Sequence, residues 1–166
     1  IEPLLRKLAD NPMEETGLIT PFNIWNQMFG GLICKNGVYF ISSRSGDGKS
    51  TYMFNMSKGI CRLNRVKCLI IDTEMSVDLN MFMAAAAEAQ VNSWYLRTGQ
   101  WIKNEPVKKQ VIGSFTELDK YKGSIYHMYA PNKDVKEIQN IIKRFHYNFN
   151  FIICFINIYL ICDNCV

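Results

Sequence analysis

The segment VYFISSRSGDGKS, residues 38–50, decides how this sequence is interpreted. Residues 38–42 form a compact, mostly apolar run that predicts a buried strand, and residues 43–48 are rich in glycine and serine. From Lys49 to about Leu63, apolar residues recur at the spacing of one helix face. The sequence therefore predicts a strand, a tight loop and a helix in immediate succession.

The loop has the composition of a phosphate-binding loop. The pattern for such loops is GxxxxGK[ST], and here a serine replaces the first glycine. Glycines allow the backbone to curl so that several N–H groups point at one phosphate, and the following helix adds its positive end. A Gly-Lys-Ser turn without a ligand is the alternative, but the strand before it and the helix after it favour nucleotide binding. The predicted nucleotide-binding residues are Ser43, Arg44, Ser45, Gly46, Asp47, Gly48, Lys49, Ser50 and Thr51.

Short apolar runs alternate with helix-like segments along the rest of the chain. Strands are predicted at residues 66–71, at 124–129 and from Phe151 onward. Helices are predicted at residues 1–9, 49–63, 81–89, 107–118 and 134–147, and residues 10–37 are interpreted as a connector and loop. Ser76 is expected to cap one helix, and Asp134 with Glu137 forms a capping box before another. Strands separated by helices predict an α/β fold with a mainly parallel sheet and helices on both faces.

Composition and charge exclude several classes of protein. The chain has 166 residues, 48% of them apolar and 20% charged, which fits one globular domain and excludes disorder as its main state. The net charge of +4 permits a nucleic-acid partner without requiring one. The apolar run at residues 151–162 is too short to span a membrane. Cys162 and Cys165 lack the second pair that a zinc site needs, so the six cysteines are expected to be reduced, as in the cytoplasm.

A candidate catalytic carboxylate follows the second predicted strand, in the segment Asp72-Thr73-Glu74-Met75-Ser76. Ligands of a parallel sheet bind at the carboxyl ends of its strands, and a nucleotide hydrolase needs a carboxylate there to orient the attacking water. Glu74 is the first choice and Asp72 the second. The alternative is that both acids merely begin a helix, where negative charge is favourable.

Several segments together resemble the RecA-like motor domain of DnaB-type replicative helicases. The resemblance covers about residues 17–150, and some details look phage-like. The segments that carry it are Gly17-Leu18-Ile19-Thr20 through Gly30-Gly31-Leu32, Gly37 with its strand, Ser43-Arg44, Glu74-Met75-Ser76, Leu96-Arg97-Thr98-Gly99, Ser124-Ile125-Tyr126 and the helix at Asp134.

The resemblance implies a RecA-like P-loop NTPase fold that is incomplete at its C-terminal end. Residues 1–16 would be a linker with a short helix, and residues 17–166 a partial ATPase core. The cofactors would be ATP and Mg²⁺, and the catalytic residues Glu74 and Lys49. ATP hydrolysis would drive translocation on single-stranded DNA during replication, in a homo-hexamer in the cytoplasm of a bacterial or phage-infected cell. Most DNA-contacting parts would lie outside this sequence.

The resemblance leaves the Mg²⁺-binding aspartate of the next strand open. Spacing favours Asn157, which cannot supply a full negative charge, whereas chemistry favours Asp163, which also ends an apolar run. Ser50 and Asp163 are taken as the predicted metal ligands. If Asn157 occupies the position instead, Mg²⁺ binding and turnover are in doubt.

Three other functions are compatible with parts of the sequence. They are a recombinase or circadian-clock type of RecA-like ATPase, a small-molecule kinase, and a catalytically degenerate, truncated copy. A kinase would need a lid with several arginines, but residues 91–123 contain only Arg97. A basic region is expected to be a solvated surface, and it consists of Lys103, Lys108, Lys109, Lys120 and Lys122.

Overall fold

The computed structural model of the chain describes residues 1–10, 17–32, 39, 41, 44, 46–149 and 153–157. Within these ranges, seven α-helices, one 3-10 helix and three strands are assigned. In chain order they are α1 (Glu2–Asp10), α2 (Asn23–Phe29), α3 (Lys49–Asn64), β1 (Cys68–Asp72), α4 (Val77–Ala89), α5 (Ser93–Arg97), the 3-10 helix (Gln100–Lys103), α6 (Glu105–Asp119), β2 (Ile125–Tyr129), α7 (Val135–Phe149) and β3 (Ile153–Asn157).

The three strands form a parallel sheet with β1 in the middle. All five residues of β1 are buried, which explains why its first four residues are a continuous apolar run rather than an alternating one. Each parallel connection contains at least one helix, as the alternation of apolar runs and helical segments predicted. The predicted strand at residues 38–42 lies outside the described residues, apart from Tyr39 and Ile41, and stays a prediction.

Helices cover both faces of this sheet. On one face, Met56 and Ile60 of α3 pack with Cys68 at the start of β1. On the other face, Ile138 of α7 packs with Leu69 and Ile71, the residues that alternate with Cys68 along the strand. The prediction of helices on both faces is confirmed for the described part of the sheet.

A third apolar cluster lies among α4, α5 and α6. Its buried members are Ala85, Ala86, Ala89, Leu96 and Val111. The helix predicted at residues 107–118 is present as α6, whereas α5 and the 3-10 helix were not predicted. Among the described residues, no helix is long and apolar enough to cross a membrane.

The segment before the phosphate loop contains a helix, so its interpretation as connector and loop alone was wrong. Residues 23–29 form α2, which ends at Gly30 in the left-handed conformation. Leu18 and Leu32 then pair across the segment through two backbone hydrogen bonds of 2.9 and 2.7 Å. Gly31 is required at this point, because a Cβ on it would lie 2.5 Å from the Leu18 carbonyl oxygen.

The two predicted helix caps are confirmed. Ser76 accepts a hydrogen bond from the Leu79 N–H at 3.3 Å at the start of α4. Before α7, the Glu137 N–H donates to Asp134 at 2.7 Å and the Asp134 N–H donates to Glu137 at 3.1 Å, which is the reciprocal pattern of a capping box. The caps fix where the two helices begin relative to the strand ends that precede them.

Candidate nucleotide-binding site

The predicted phosphate loop leads directly into α3. Gly46 and Gly48 have φ angles of 87° and 88°, a region that residues with a Cβ rarely adopt. A Cβ on either glycine would meet no atom within 4 Å, so the loop backbone is open to its surroundings. The conformation, rather than lack of space, therefore demands glycine at both positions. Ser43 and Ser45, the other predicted loop residues, lie outside the described residues.

Three hydrogen bonds hold the loop in its curved form. The Arg44 N–H donates to an Asp47 carboxylate oxygen at 3.0 Å, and the Asp47 N–H donates to the Arg44 carbonyl at 3.3 Å. The Lys49 ammonium donates to the same Arg44 carbonyl at 3.4 Å. The Lys49 ammonium thus lies over the loop that is predicted to bind the phosphates.

The first turn of α3 is suited to an anion. It contains Lys49, Ser50 and Thr51 and no acidic residue. Gly48 precedes the helix and has no side chain with which to cap it, so the cap residue leaves the first amides to other acceptors. The positive end of the helix dipole adds to the Lys49 charge at the same place.

At the end of β1, the two candidate carboxylates have different environments. Asp72 is completely buried, and its Oδ1 accepts hydrogen bonds from the Glu74 N–H at 2.8 Å and the Met75 N–H at 2.9 Å. Glu74 is exposed, immediately before the helix cap Ser76. Of the two, only Glu74 presents its carboxylate to solvent.

A groove connects the start of α3 with the loop after β1. Its volume is about 220 Å³. Ser50 and Thr51 line it from α3, Met75 lines it from the β1–α4 loop, and Asn80 and Met83 line it from α4. The first turn of α3 and the loop that carries Glu74 therefore border one concave surface, with Ser50, Thr51 and Met75 in its lining rather than Lys49 or Glu74.

The carboxyl ends of the three strands are aligned. Asp72 pairs in register with Tyr129 on β2 and with Asn157 on β3. The backbone thus puts Asn157 at the strand end that its spacing predicted. Asp163 lies outside the described residues, so its predicted role as a metal ligand stays a prediction.

The model of the DnaB-like helicase C-terminal domain family matches residues 17–161 of the chain. The chain belongs to this family. No curated protein is a significant match to the chain. Membership agrees with the parallel sheet and its helices, because the DnaB-like domain has a RecA-like P-loop fold. Helicases of this family generally use ATP and Mg²⁺, are generally hexameric and bind single-stranded DNA.

The predicted basic region does not form a uniform patch of unpaired charge. Lys108 forms an ion pair with Glu105 at 3.1 Å, and Lys120 forms one with Glu117 at 2.6 Å. Both pairs join residues three positions apart, one in the first turn of α6 and one at its C-terminal end, as expected for a solvated helix surface.

Sequence reasoning missed two polar residues behind the strand ends. Asn80 Nδ2 lies 3.2 Å from His127 Nε2, which in turn lies 3.9 Å from Asp72 Oδ2. His127 lies in the strand predicted at residues 124–129 and was given no role in the site, although a histidine within such a run is itself a signal of a polar neighbour. Asn80 carries no comparable signal, because the contact spans 47 residues.

Proposed function

We propose that the chain is the motor part of an ATP-dependent DNA helicase, which binds and hydrolyses ATP to drive translocation on single-stranded DNA during replication. The observation that carries this proposal is the common groove: the helix that begins at Lys49 and the loop that carries Glu74 border the same concave surface. Family membership supports a helicase-family ATPase role. The proposal adds which residues bind and hydrolyse ATP, and that hydrolysis drives translocation on DNA.

In this proposal the residues 43–51 bind the nucleotide. Backbone amides between Gly46 and Thr51 hold the phosphates, since the positive-φ glycines turn the chain so that successive N–H groups converge. Lys49 exchanges the Arg44 carbonyl for an outer phosphate oxygen. Glu74 accepts a hydrogen bond from the attacking water and polarises it.

The donor groups fit a magnesium ion that arrives with the nucleotide. Among the described residues, no group of three His, Cys, Asp or Glu side chains could hold a metal ion by itself. Mg²⁺ commonly binds through one or two protein oxygens together with substrate phosphates and waters. Ser50, in the first turn of α3, is the described residue proposed to provide such an oxygen. When bound, the ion would neutralise phosphate charge.

The first experiment separates binding from turnover. Lys49→Ala removes the phosphate-contacting charge and is expected to weaken nucleotide binding by at least about tenfold, because a charge-assisted contact is lost. Glu74→Gln keeps the shape of the side chain and is expected to leave nucleotide affinity nearly unchanged while abolishing measurable hydrolysis. Binding is measured by calorimetric titration, and hydrolysis by phosphate release with and without single-stranded DNA.

Matched controls exist for both variants. Lys67→Ala removes an exposed charge that precedes β1, at the opposite edge of the sheet. Asp78→Asn neutralises an exposed acid in the first turn of α4, four residues after Glu74. Both controls should retain binding and hydrolysis. Equal turnover in Glu74→Gln and the wild-type chain would contradict the role of Glu74, and unchanged affinity in Lys49→Ala would contradict the nucleotide site.

DNA and oligomerisation form the outer part of the proposal. In the full-length protein, the motor is proposed to act as a homo-hexamer around single-stranded DNA, to which it binds mainly through the phosphate backbone. Affinity for DNA should therefore fall as salt concentration rises. Hydrolysis by the full-length protein that is stimulated by single-stranded DNA and lost in Glu74→Gln would support the motor.

A second candidate function is nucleotide binding without turnover, as in a catalytically degenerate copy. The observation in its favour is Asn157, a neutral residue that the backbone register puts beside Asp72 at the strand end. Two substitutions distinguish the candidates. If the wild-type chain is inactive and Asn157→Asp gains Mg²⁺-dependent hydrolysis, the second candidate is favoured. If Asp163→Asn abolishes hydrolysis that the wild-type chain performs, Asp163 completes the site and the motor is favoured.

A further inference from the structure

The buried Asp72 carboxylate organises the turn in which Glu74 lies. Asp72 is the last residue of β1, and none of its surface is exposed to solvent. Its Oδ1 accepts two backbone hydrogen bonds, from Glu74 at 2.8 Å and from Met75 at 2.9 Å. A carboxylate that accepts from N–H groups makes bonds about twice as strong as neutral ones. The backbone amides of Glu74 and Met75 are thus bonded to the last residue of the strand.

The other side of the turn is fixed as well. One residue after Met75, Ser76 caps α4 by accepting from the Leu79 N–H. The chain between Asp72 and Ser76 is therefore anchored at the sheet and at the helix. Glu74 is the exposed residue in the middle of this short span, and its own amide is bonded to Asp72 and not to Ser76.

Residues of two neighbouring elements lie beside the Asp72 carboxylate. His127 of β2 brings Nε2 to 3.9 Å from Asp72 Oδ2, and the side chain of His127 is only 14% exposed. Asn80 of α4 contacts the same His127 nitrogen at 3.2 Å. In addition, the Ala130 N–H donates to the Asp72 carbonyl at 2.8 Å. The Asp72 backbone is thus bonded to the chain after β2, and its carboxylate is completely buried beside His127.

From this geometry we infer that Asp72 is the positioning residue for Glu74: its buried carboxylate holds the Glu74 and Met75 amides and so sets where the Glu74 carboxylate meets the attacking water. The inference rests on the proposed role of Glu74 in hydrolysis. Asp72 contacts neither nucleotide nor water in this account. A displacement of about 1 Å at a reacting group can cost about 100-fold in rate, which is the scale on which the turn would matter.

Two substitutions of Asp72 separate positioning from direct chemistry. Asp72→Ala removes the acceptor for both amides. Asp72→Asn retains an acceptor oxygen in the same shape but removes the negative charge. Ser76→Ala serves as the matched control, because it weakens the cap of α4 beside the same turn and leaves the two Asp72 hydrogen bonds in place.

The experiment combines amide hydrogen exchange, read residue by residue by NMR, with kinetics and nucleotide binding. In Asp72→Ala, the Glu74 and Met75 amides should exchange about tenfold faster or more, since each loses a charge-assisted bond. In the same variant kcat should fall by about 10- to 100-fold, while nucleotide affinity stays within about threefold of wild type. Asp72→Asn should restore slow exchange and most of kcat, and Ser76→Ala should leave both amides protected.

The outcomes decide between clear alternatives. Unchanged exchange of both amides in Asp72→Ala, or lost protection without a fall in kcat, would overturn the positioning role. If the Glu74 and Met75 amides stay protected in Asp72→Asn but the variant loses as much activity as Glu74→Gln, the Asp72 charge itself serves the reaction and the inference is wrong. If Asp72→Ala is unfolded, the Asp72→Asn comparison alone decides. If the wild-type chain has no turnover, the proposed function fails, whereas exchange still reports whether Asp72 fixes the turn.

Discussion

Substituting Gly59 by alanine should destabilise the protein, although alanine is normally the better residue in a helix. Gly59 is buried in the interior of α3. A Cβ at this position would lie 2.5 Å from both Cβ and Cγ of Pro21, and 2.7 Å from its Cδ. Carbon atoms pack best at about 3.5–4.0 Å, so each contact is about 1 Å too short. The three atoms belong to a closed ring, which cannot rotate aside as a flexible side chain would.

Two opposing effects determine the size of the change. Replacing glycine by alanine inside a helix contributes about 1 kcal/mol of stability. Overpacking costs about 1–3 kcal/mol, and three short contacts with one rigid ring point to the upper part of that range. We therefore expect Gly59→Ala to lower the free energy of unfolding by about 1–2 kcal/mol. Gly113 of α6 provides the control: it is exposed, a Cβ there would meet no atom within 4 Å, and Gly113→Ala should be stabilising.

Urea denaturation of both variants, compared at equal m-values, measures the two effects. Gly59→Ala should cost less in a Pro21→Gly background, because all three ring atoms that cause the clash are then gone. If Gly59→Ala raises stability as much as Gly113→Ala does, the segment before the phosphate loop does not pack on α3 as described. A loss in Gly59→Ala that Pro21→Gly does not relieve would also contradict the reasoning.

Three further predictions concern local interactions. Asp134→Ala removes the acceptor of the capping box before α7 and should cost about 1 kcal/mol in urea denaturation. The Lys133 ammonium and the Asp134 N–H lower the pKa of Glu137 from its usual 4.5, so its contribution is present above that pH and is lost as the pH falls through the lowered pKa. Glu137→Gln should therefore be less stable than wild type at neutral pH, and the difference should shrink below pH 4.5; a constant difference would contradict this origin. Burial raises the pKa of the Cys154 thiol to about 12, so its peptide should resist alkylation in mildly alkaline buffer until urea unfolds the chain, as followed by mass spectrometry.

The long elements of the fold could be predicted because each has a strong local pattern. The helix after the phosphate loop, α7 with its capping box, and the buried run of β1 all follow from spacing and residue type. By contrast, α2 and α5 have only 7 and 5 residues. Isolated helices of that length are not stable in water, so they form only where tertiary contacts support them, and no window of sequence contains those contacts.

The contacts that support α2 illustrate the problem. Asn26 exchanges hydrogen bonds with the Thr20 backbone, donating to its carbonyl at 2.8 Å and accepting from its N–H at 2.8 Å. Asn64, at the far end of α3, donates to the Ile19 carbonyl at 2.8 Å and accepts from the Ile19 N–H at 2.9 Å. The second pair spans 45 residues. Asparagine is an ordinary loop residue in sequence, so neither role could be predicted from it.

The site divides in the same way. The phosphate loop is contiguous in sequence, so its glycines, lysine and serine could be predicted together. The distinction between Asp72 and Glu74 depends on where the strand ends, because Asp72 is the last residue of β1 and Glu74 lies in the loop after it. Both follow the same apolar run, and the sequence only ranked them. The structure separates them by burial: Asp72 bonds to backbone amides inside, whereas Glu74 remains exposed.

The alignment of the strand ends determines what a charged residue at position 157 would do. Adjacent strands lie about 4.8 Å apart, so the backbone of Asn157 is a near neighbour of the buried Asp72. Like charges that lie close together resist joint ionisation, so an aspartate introduced at position 157 is expected either to raise the pKa of one carboxyl group or to require a cation beside the pair. In the proposed motor such a cation would be the Mg²⁺ that arrives with the nucleotide, which is why Asn157→Asp is the substitution that tests the second candidate function.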